Sequence, residues 1–244
     1  MKRAVFLGLT GFLVLLFLPV VLAVDLTVQK NSLDEVMIID LNKPAVFDLS
    51  IKNNGPTDEF MIYTFFGTGS LPEEKFTIIS GQTKNIQFIV SPPYDVTKIG
   101  PAVFDYFIRG LDGSEYKGTL NAKVINLNEA FEIGSADFDP ESSSVEIYIK
   151  NKINFDFENL NAKFSSSFFT LDKSFPLASK ETDKFEIILD KEKFKQLTAG
   201  FYTLTAEVTT EGKSADIEGV MKFAEKKSIT TETEKQGFFV STTT

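Results

Sequence analysis

A short strand-like pattern occurs twice in this chain, about a hundred residues apart. Residues 47–53 read Phe-Asp-Leu-Ser-Ile-Lys-Asn, and residues 145–151 read Val-Glu-Ile-Tyr-Ile-Lys-Asn. Gly100 and Gly200 likewise each precede a segment in which polar and apolar residues alternate. Such alternation is typical of a strand with one buried and one solvated face. We therefore expect two copies of one β-rich unit.

The rest of both copies follows the same design. Turn-forming residues separate the alternating runs, because glycine and asparagine accept positive φ and proline fixes φ at about −65°. Strands joined by tight turns pair antiparallel, and a sheet with one apolar face must pack against a second layer. We predict an all-β chain of two tandem β-sandwiches after an N-terminal hydrophobic signal helix. The further alternating runs are residues 85–90, 116–124, 185–189 and 202–208. Residues 58–66 are apolar on both faces, which predicts a central strand covered on both sides.

The N-terminus has the pattern of an export leader. Lys2 and Arg3 precede an uncharged apolar run over residues 4–24, as in a signal peptide. Pro19 would end the apolar helix shortly before Ala23, so we expect cleavage after Ala23, with residues 1–23 as the signal peptide. The alternative is an uncleaved anchor, because the run approaches the roughly 20 residues that cross a bilayer. In both cases the remainder faces outward, at the cell surface or outside the cell.

Composition and turn signals divide the rest of the chain. We predict a first sandwich over residues 24–126 and a second over residues 127–224, with the boundary in the polar stretch 126–129. Residues 225–244 are predicted to be a mobile linker, because the stretch up to residue 234 is rich in Lys, Glu, Thr and Ser. Residues 235–244 resemble the first strand of a further domain. That would make the chain a piece of a longer protein, and an ordinary frayed terminus is the alternative.

Two absences in the composition restrict the chemistry of the chain. It contains no cysteine and no histidine, so thiolate nucleophiles, imidazole bases, zinc sites and Ser-His-Asp triads are excluded. Paired carboxylates remain as the one common hydrolytic device. Asp112 with Glu115 and Asp156 with Glu158 can be paired in sequence, but carboxylates on turns are mostly surface charges. We expect no enzymatic activity and no cofactor.

The charge of the chain bears on its partners. The formal net charge is −9, which opposes binding to nucleic acid and to anionic lipid headgroups. Beyond the leader, Arg109 is the only arginine, so no set of guanidinium forks is present for phosphate recognition. We expect no nucleic-acid partner, and membrane contact only through an uncleaved N-terminal segment.

Two segments give the chain a resemblance to a known family. They are residues 47–63, where a strand is followed by Asn-Asn-Gly-Pro and Phe-Met-Ile-Tyr, and residues 197–204, Leu-Thr-Ala-Gly-Phe-Tyr-Thr-Leu. The chain resembles tandem immunoglobulin-like domains of the glycosidase-associated and cell-adhesion-related kind, found in archaeal and bacterial envelope proteins. This resemblance implies two immunoglobulin-like sandwiches that act as spacers, stalks or binding modules, and it carries over no catalytic residue. Tyr202 has no matching tyrosine in the first copy, so a tyrosine corner is expected only in the second.

One acidic segment near the predicted boundary is a candidate metal site. Asp137, Asp139 and Glu141 lie close together in sequence, and carboxylate oxygens are the ligands that calcium prefers. The alternative is a solvated acidic turn. We favour the turn, because the spacing matches no calcium-binding loop.

These observations predict a non-enzymatic cell-envelope protein that acts as an extracellular spacer or interaction module. Its partner would be another envelope protein or a surface glycan. A carbohydrate-binding accessory module of a larger secreted enzyme is the main alternative, and it requires exposed tyrosines such as Tyr63, Tyr94 or Tyr116. An assembly chaperone is a further alternative, which requires an exposed edge strand.

Overall fold

The computed structural model describes residues 24–94, 99–138, 143–190, 192 and 198–223. The chain divides into two compact units, the first reaching to Ala130 and including Ile153–Phe155, the second formed by Phe131–Lys152 and the residues from Asp156 onward. The predicted leader over residues 1–23 and the predicted linker over residues 225–244 lie outside the described residues. Within the described ranges, no helix has the length and apolar character needed to span a bilayer.

Unit 1 is a sandwich of two sheets. The first sheet has the order β1-β3-β7-β5 and the second the order β2-β9-β8-β4-β6. Neighbouring strands pair antiparallel, except that β2 runs parallel to β9. The strands are β1 (Leu26–Lys30), β2 (Val36–Ile38), β3 (Ala45–Asn53), β4 (Asp58–Thr64), β5 (Ser70–Leu71), β6 (Phe76–Ile78), β7 (Thr83–Val90), β8 (Gly100–Gly110) and β9 (Glu115–Ile125).

Unit 2 is a second, smaller sandwich. Its sheets have the orders β10-β11-β14 and β13-β12-β15-β16, and all pairs are antiparallel. A single parallel bridge joins Phe138 to Phe223 in β16. The strands are β10 (Phe131–Ser135), β11 (Ser144–Asn151), β12 (Phe157–Ser165), β13 (Thr170–Leu177), β14 (Thr182–Ile188), β15 (Gly200–Thr210) and β16 (Lys213–Phe223). The prediction of an all-β fold built from sandwiches is confirmed.

The alternating runs of the sequence face the cores as predicted. Phe47, Leu49 and Ile51 of β3 are buried, and the intervening Asp48 and Lys52 are exposed. The matching strand β11 buries its apolar positions in the same way. Burial of a large apolar side chain contributes about 1.5–3 kcal/mol to stability. The repeated sequence pattern therefore forms an equivalent strand in each unit, β3 in unit 1 and β11 in unit 2, and each has a neighbouring strand on both sides.

The asparagine that ends both copies of the repeat has the same structural role in each unit. Asn53 is buried and its Nδ2 donates to the Ile78 carbonyl at 3.0 Å. Asn151 is also buried, and its Nδ2 donates to the Ala178 carbonyl at 2.9 Å. Asn53 therefore ties the end of β3 to the last residue of β6, and Asn151 ties the end of β11 to the residue after β13. Loss of either donor is costly, because a buried carbonyl is then left without a partner.

Two predictions about individual residues had different outcomes. Tyr202 Oη donates to the Thr198 carbonyl at 2.8 Å and accepts from the Thr198 amide at 3.1 Å, which confirms a tyrosine corner in the second copy. The apolar residues on both faces of residues 58–66 predicted a strand covered on both sides. The strand is present as β4, and its second face is partly covered: Met61 and Tyr63 are half-buried, and Phe65, just beyond the strand, is 83% exposed.

Candidate functional site

The outer face of the five-stranded sheet in unit 1 carries aromatic side chains. Strand residues alternate between faces, and Ile62, Tyr106 and Ile108 are buried in the core. Their neighbours Tyr63 and Phe107 therefore point outward. The register places Tyr63 of β4 opposite Phe107 of β8.

Three aromatic rings lie together on this face, and we call Tyr63, Phe65 and Phe107 the aromatic platform. The rings of Tyr63 and Phe107 stack with centroids 5.4 Å apart and an interplanar angle of 22°. Phe65 lies 5.5 Å from Tyr63, edge to face, and 5.6 Å from Phe107. Such pairs contribute about 0.5–1.5 kcal/mol each beyond area burial. The mutual contacts hold the platform in one arrangement before any partner binds.

A charged network fixes Tyr63 from the side. Glu115 Oε1 accepts from Tyr63 Oη at 2.5 Å and from Arg109 Nε at 2.7 Å, and Arg109 Nη2 also donates to Tyr63 Oη at 3.0 Å. The hydrogen bonds from Tyr63 and then Arg109 hold the pKa of Glu115 below its ordinary value. Partial burial, followed by the hydrogen bond to Glu115 and then the Glu115 charge, raises the pKa of Tyr63. Near neutral pH the site therefore contains a carboxylate, a guanidinium and a neutral phenol.

A second ion pair borders the aromatic platform. Lys117 Nζ lies 2.7 Å from Asp105 Oδ2 and 6.0 Å from the centroid of the Phe107 ring. The hydrogen bond from Lys117 lowers the pKa of Asp105. Exposed pairs of this kind contribute little to stability. This pair instead places hydrogen-bonding groups at the edge of the aromatic platform.

A shallow cavity of about 270 Å³ opens beside Phe65. Phe66 and Phe104 form one wall, stacked with centroids 4.4 Å apart and nearly parallel planes. Asp105 and Phe107 complete the lining. The cavity is therefore apolar with one carboxylate at its rim, a composition suited to holding an apolar ring or side chain.

The acidic residues singled out in the sequence do not form this site, except Glu115. Asp112 accepts hydrogen bonds from the hydroxyl and amide of Ser114, which lower its pKa. Asp156 accepts from the Ser179 amide at 2.6 Å. The pKa of Asp112 and that of Glu115 are both lowered, whereas a general acid of a glycosidase requires a raised pKa.

The candidate calcium ligands are only partly described by the structure. Asp137 forms an ion pair with Lys222, 2.9 Å between Oδ2 and Nζ. Asp139 and Glu141 lie outside the described residues. Among the residues that the structure describes, no three carboxylates are grouped closely enough to hold a metal ion. The calcium hypothesis therefore stays a prediction.

The three tyrosines that a carbohydrate site would need lie in different surroundings. Tyr63 belongs to the aromatic platform, Tyr94 is 90% exposed, and Tyr116 is half-buried with its ring 6.2 Å from that of Tyr106. Phe107 was not predicted from the sequence as a surface residue. The available signal was its place between the buried Tyr106 and Ile108, because an apolar residue there must face outward.

Comparison with known proteins assigns the chain to no family. No family model matches, and no curated protein matches. Among solved structures the chain is similar to red sea bream transglutaminase, with 9% identity over 84% of this chain and 32% of that chain and a TM-score of 0.34. It is also similar to a protein of unknown function from Porphyromonas gingivalis W83, with 10% identity over 80% of this chain and 99% of that chain and a TM-score of 0.28.

A third similar structure is the periplasmic chaperone SfaE, with 9% identity over 80% of this chain and all of that chain and a TM-score of 0.28. This chain spans about a third of the transglutaminase. At such low TM-scores the likeness adds nothing on function. The assignment of two β-sandwiches rests on the strand pairing itself.

Proposed function

We propose that this protein is a non-enzymatic interaction module of the cell envelope, built from tandem immunoglobulin-like sandwiches, and that the aromatic platform contacts its partner. The observation that carries the proposal is the cluster of Tyr63, Phe65 and Phe107 on an outward sheet face, with Phe65 83% exposed. Exposed, contiguous aromatic surface is typical of interaction sites.

The rigidity of the aromatic platform supports a binding role. Aromatic side chains lose little conformational entropy on binding, and Tyr and Arg are enriched among residues that dominate interface energies. Tyr63 is held by Glu115 and Arg109 before any partner arrives. Less conformational entropy would therefore be lost when a partner binds.

The export leader supports an outward location. Residues 1–23 have a basic start and an apolar run, so we place the rest of the chain at the cell surface or outside the cell. In that location the chain would meet other envelope components as partners. The absence of histidine and cysteine supports a role without catalysis.

A binding assay with truncated side chains tests the proposal. The full chain is incubated with an envelope fraction of the source cells, and the bound fraction is compared with that of a Phe65→Ala/Phe107→Ala variant. Phe201→Ala is the matched control, because Phe201 is 75% exposed on a strand of unit 2. We expect the double variant to lose most of the binding and the control to retain it. Equal binding by the two variants would contradict the proposal.

Carbohydrate binding is a second candidate function. It is favoured by the position of Arg109, Glu115 and Asp105 beside exposed rings, because sugars combine an apolar face with hydroxyl groups. Treating the envelope fraction with periodate or with protease separates the two candidates. Loss of binding after periodate alone supports a glycan partner, and loss after protease alone supports a protein partner.

A further inference from the structure

The two units differ in how their first sheets end. In unit 1, β7 pairs with β3 on one side and with the short β5 on the other. In unit 2 the corresponding strand β14 pairs with β11, and it is the last strand of its sheet among the described residues. The strand β13 pairs with β12 in the opposite sheet instead. Within the part of the chain that the structure describes, no strand covers the outer edge of β14 as β5 covers that of β7.

The backbone groups on this edge follow from the pairing with β11. The Leu189 amide donates to the Ser143 carbonyl at 3.0 Å. Because backbone groups of successive strand residues point to alternate sides, the N–H and C=O groups of Phe185 and Ile187 also face β11. The backbone N–H and C=O groups of the residues between them, Glu186 and Ile188, point to the open edge. Unpaired edge groups of this kind are a template for another strand.

The side chains along β14 suit a particular neighbour. Lys184 and Glu186 lie two residues apart on the exposed face, with opposite charges, and Ile188 is 85% exposed. Phe185 is half-buried on the inner face, 5.0 Å between ring centroids from Phe175 of β13. An added strand would cover the remaining exposed part of Phe185.

We propose that β14 pairs with β14 of a second copy of this chain. The two strands run antiparallel about a twofold axis at Phe185. In this register Lys184 lies opposite the second copy's Glu186 on both sides of the axis, and Thr182 lies opposite its Ile188. The register brings open-edge backbone groups together, because Lys184 and Glu186 both direct those groups away from β11. The strand is therefore self-complementary in backbone pattern and in charge.

Existing contacts of these side chains do not block the pairing. Lys184 Nζ lies 2.8 Å from Glu146 Oε1, and the Lys184 amide donates to Asp183 Oδ1 at 3.0 Å. Glu186 Oε1 accepts from Ser144 Oγ at 2.6 Å. All three contacts are exposed and exchange readily with solvent. One seven-residue strand pair buries less area than a stable dimer interface. The dimer is weak and forms at high local concentration, as at a cell surface.

Site-specific cross-linking tests the dimer in the full chain. The natural sequence contains no cysteine, so Thr182→Cys and Ile188→Cys variants each carry one thiol. They are mixed, treated with a short bismaleimide and separated by denaturing electrophoresis. We expect a covalent dimer in the mixture, several times more abundant than with either variant alone. Equal yields in all three samples would overturn the proposed register.

Charge reversal provides the second measurement. In the same cysteine pair, Lys184→Glu in both chains, or Glu186→Lys in both chains, places like charges opposite each other and should lower the cross-linking yield about fivefold. Lys184→Glu in one chain and Glu186→Lys in the other should restore it. These side chains are exposed, and circular dichroism of each variant checks folding. Yields that do not respond to the charge reversals would overturn the pairing.

Discussion

The two sandwiches share a framework and differ in what its outer face carries. In unit 1, Tyr63 of β4 lies opposite Phe107 of β8. In unit 2 the matching pair of strands, β12 and β15, places Lys163 opposite Glu207. The side chains on the inner face are buried in both units. The core pattern therefore specifies the fold, and the outward positions are free to carry a function.

The surfaces around these pairs differ accordingly. Around Lys163 and Glu207 lies a groove of about 360 Å³ lined mainly by polar and charged side chains. Around Tyr63 and Phe107 lies the aromatic platform with its apolar cavity. Under the proposed function, the envelope partner therefore binds the aromatic platform of unit 1. Each of the following measurements tests that comparison or a feature that the units share.

Exchange of the outward pair has the largest expected effect. A Tyr63→Lys/Phe107→Glu variant gives unit 1 the pair found in unit 2. We expect binding to the envelope fraction to fall about 30-fold or more, which corresponds to the loss of an interface hot spot of about 2 kcal/mol. The variant also loses the ring contacts of the platform, about 0.5–1.5 kcal/mol per pair, so thermal unfolding identifies a temperature at which both proteins are folded, and binding is compared there. Unchanged binding would show that the aromatic platform is not the contact surface.

The buried asparagines should be equivalent in the two units. Asn53→Ala and Asn151→Ala each leave a carbonyl without its donor, at a cost of about 1–3 kcal/mol in unfolding free energy. Chemical denaturation measures this cost, and Asn121→Ala, at an exposed position of β9, is the control. If only one of the two buried positions proves sensitive, the duplicated pattern does not reflect one structural role.

A glycine opposite a tyrosine occurs in both units, but with different surroundings. A Cβ on Gly118 would lie 2.4 Å from the Tyr106 ring, and one on Gly134 would lie 2.7 Å from Tyr148. Tyr106 is buried, and Tyr148 is half-buried, so only the second ring can move aside cheaply. We expect Gly118→Ala to cost about 1–3 kcal/mol and Gly134→Ala less than about 1 kcal/mol. Melting temperatures of the two variants that shift equally would contradict this reasoning.

Acid pH should weaken the polar network of unit 1, with the smallest effect of the four. The pKa of Glu115 in the folded protein lies below its ordinary value of 4.5. Its contribution to stability is therefore fully present above about pH 4.5 and is lost as the pH falls through the lower folded pKa. The melting temperatures of the protein and of Glu115→Gln should converge below that range. A difference that persists at lower pH would assign the effect of Glu115 to something other than its charge.

Sequence alone predicted the features that depend on local alternation. The buried positions of β3 and β11 and the β-sandwich architecture follow from residue spacing and turn chemistry, whereas the hydrogen bonds of Tyr202 were implied by the family resemblance. The aromatic platform was not predicted, because alternation shows that Met61, Tyr63 and Phe65 share a face but not whether anything covers it. The open edge of β14 was also not predicted, since edges depend on which strands pair across long sequence separations. Asp139 and Glu141 lie outside the described residues, so calcium binding stays a prediction.

The parallel pairing of β2 with β9 has a mechanical consequence. β2 is the second strand of unit 1 and β9 the last, and the two run in the same direction, so a pull between Val36 and Ile125 slides one strand along the other. Their hydrogen bonds are then loaded together in shear rather than opened one after another. The bridge between Phe138 and Phe223 has the same orientation in unit 2. The three residue pairs of β2 and β9 therefore share such a load in unit 1, whereas a single residue pair is positioned to do so in unit 2.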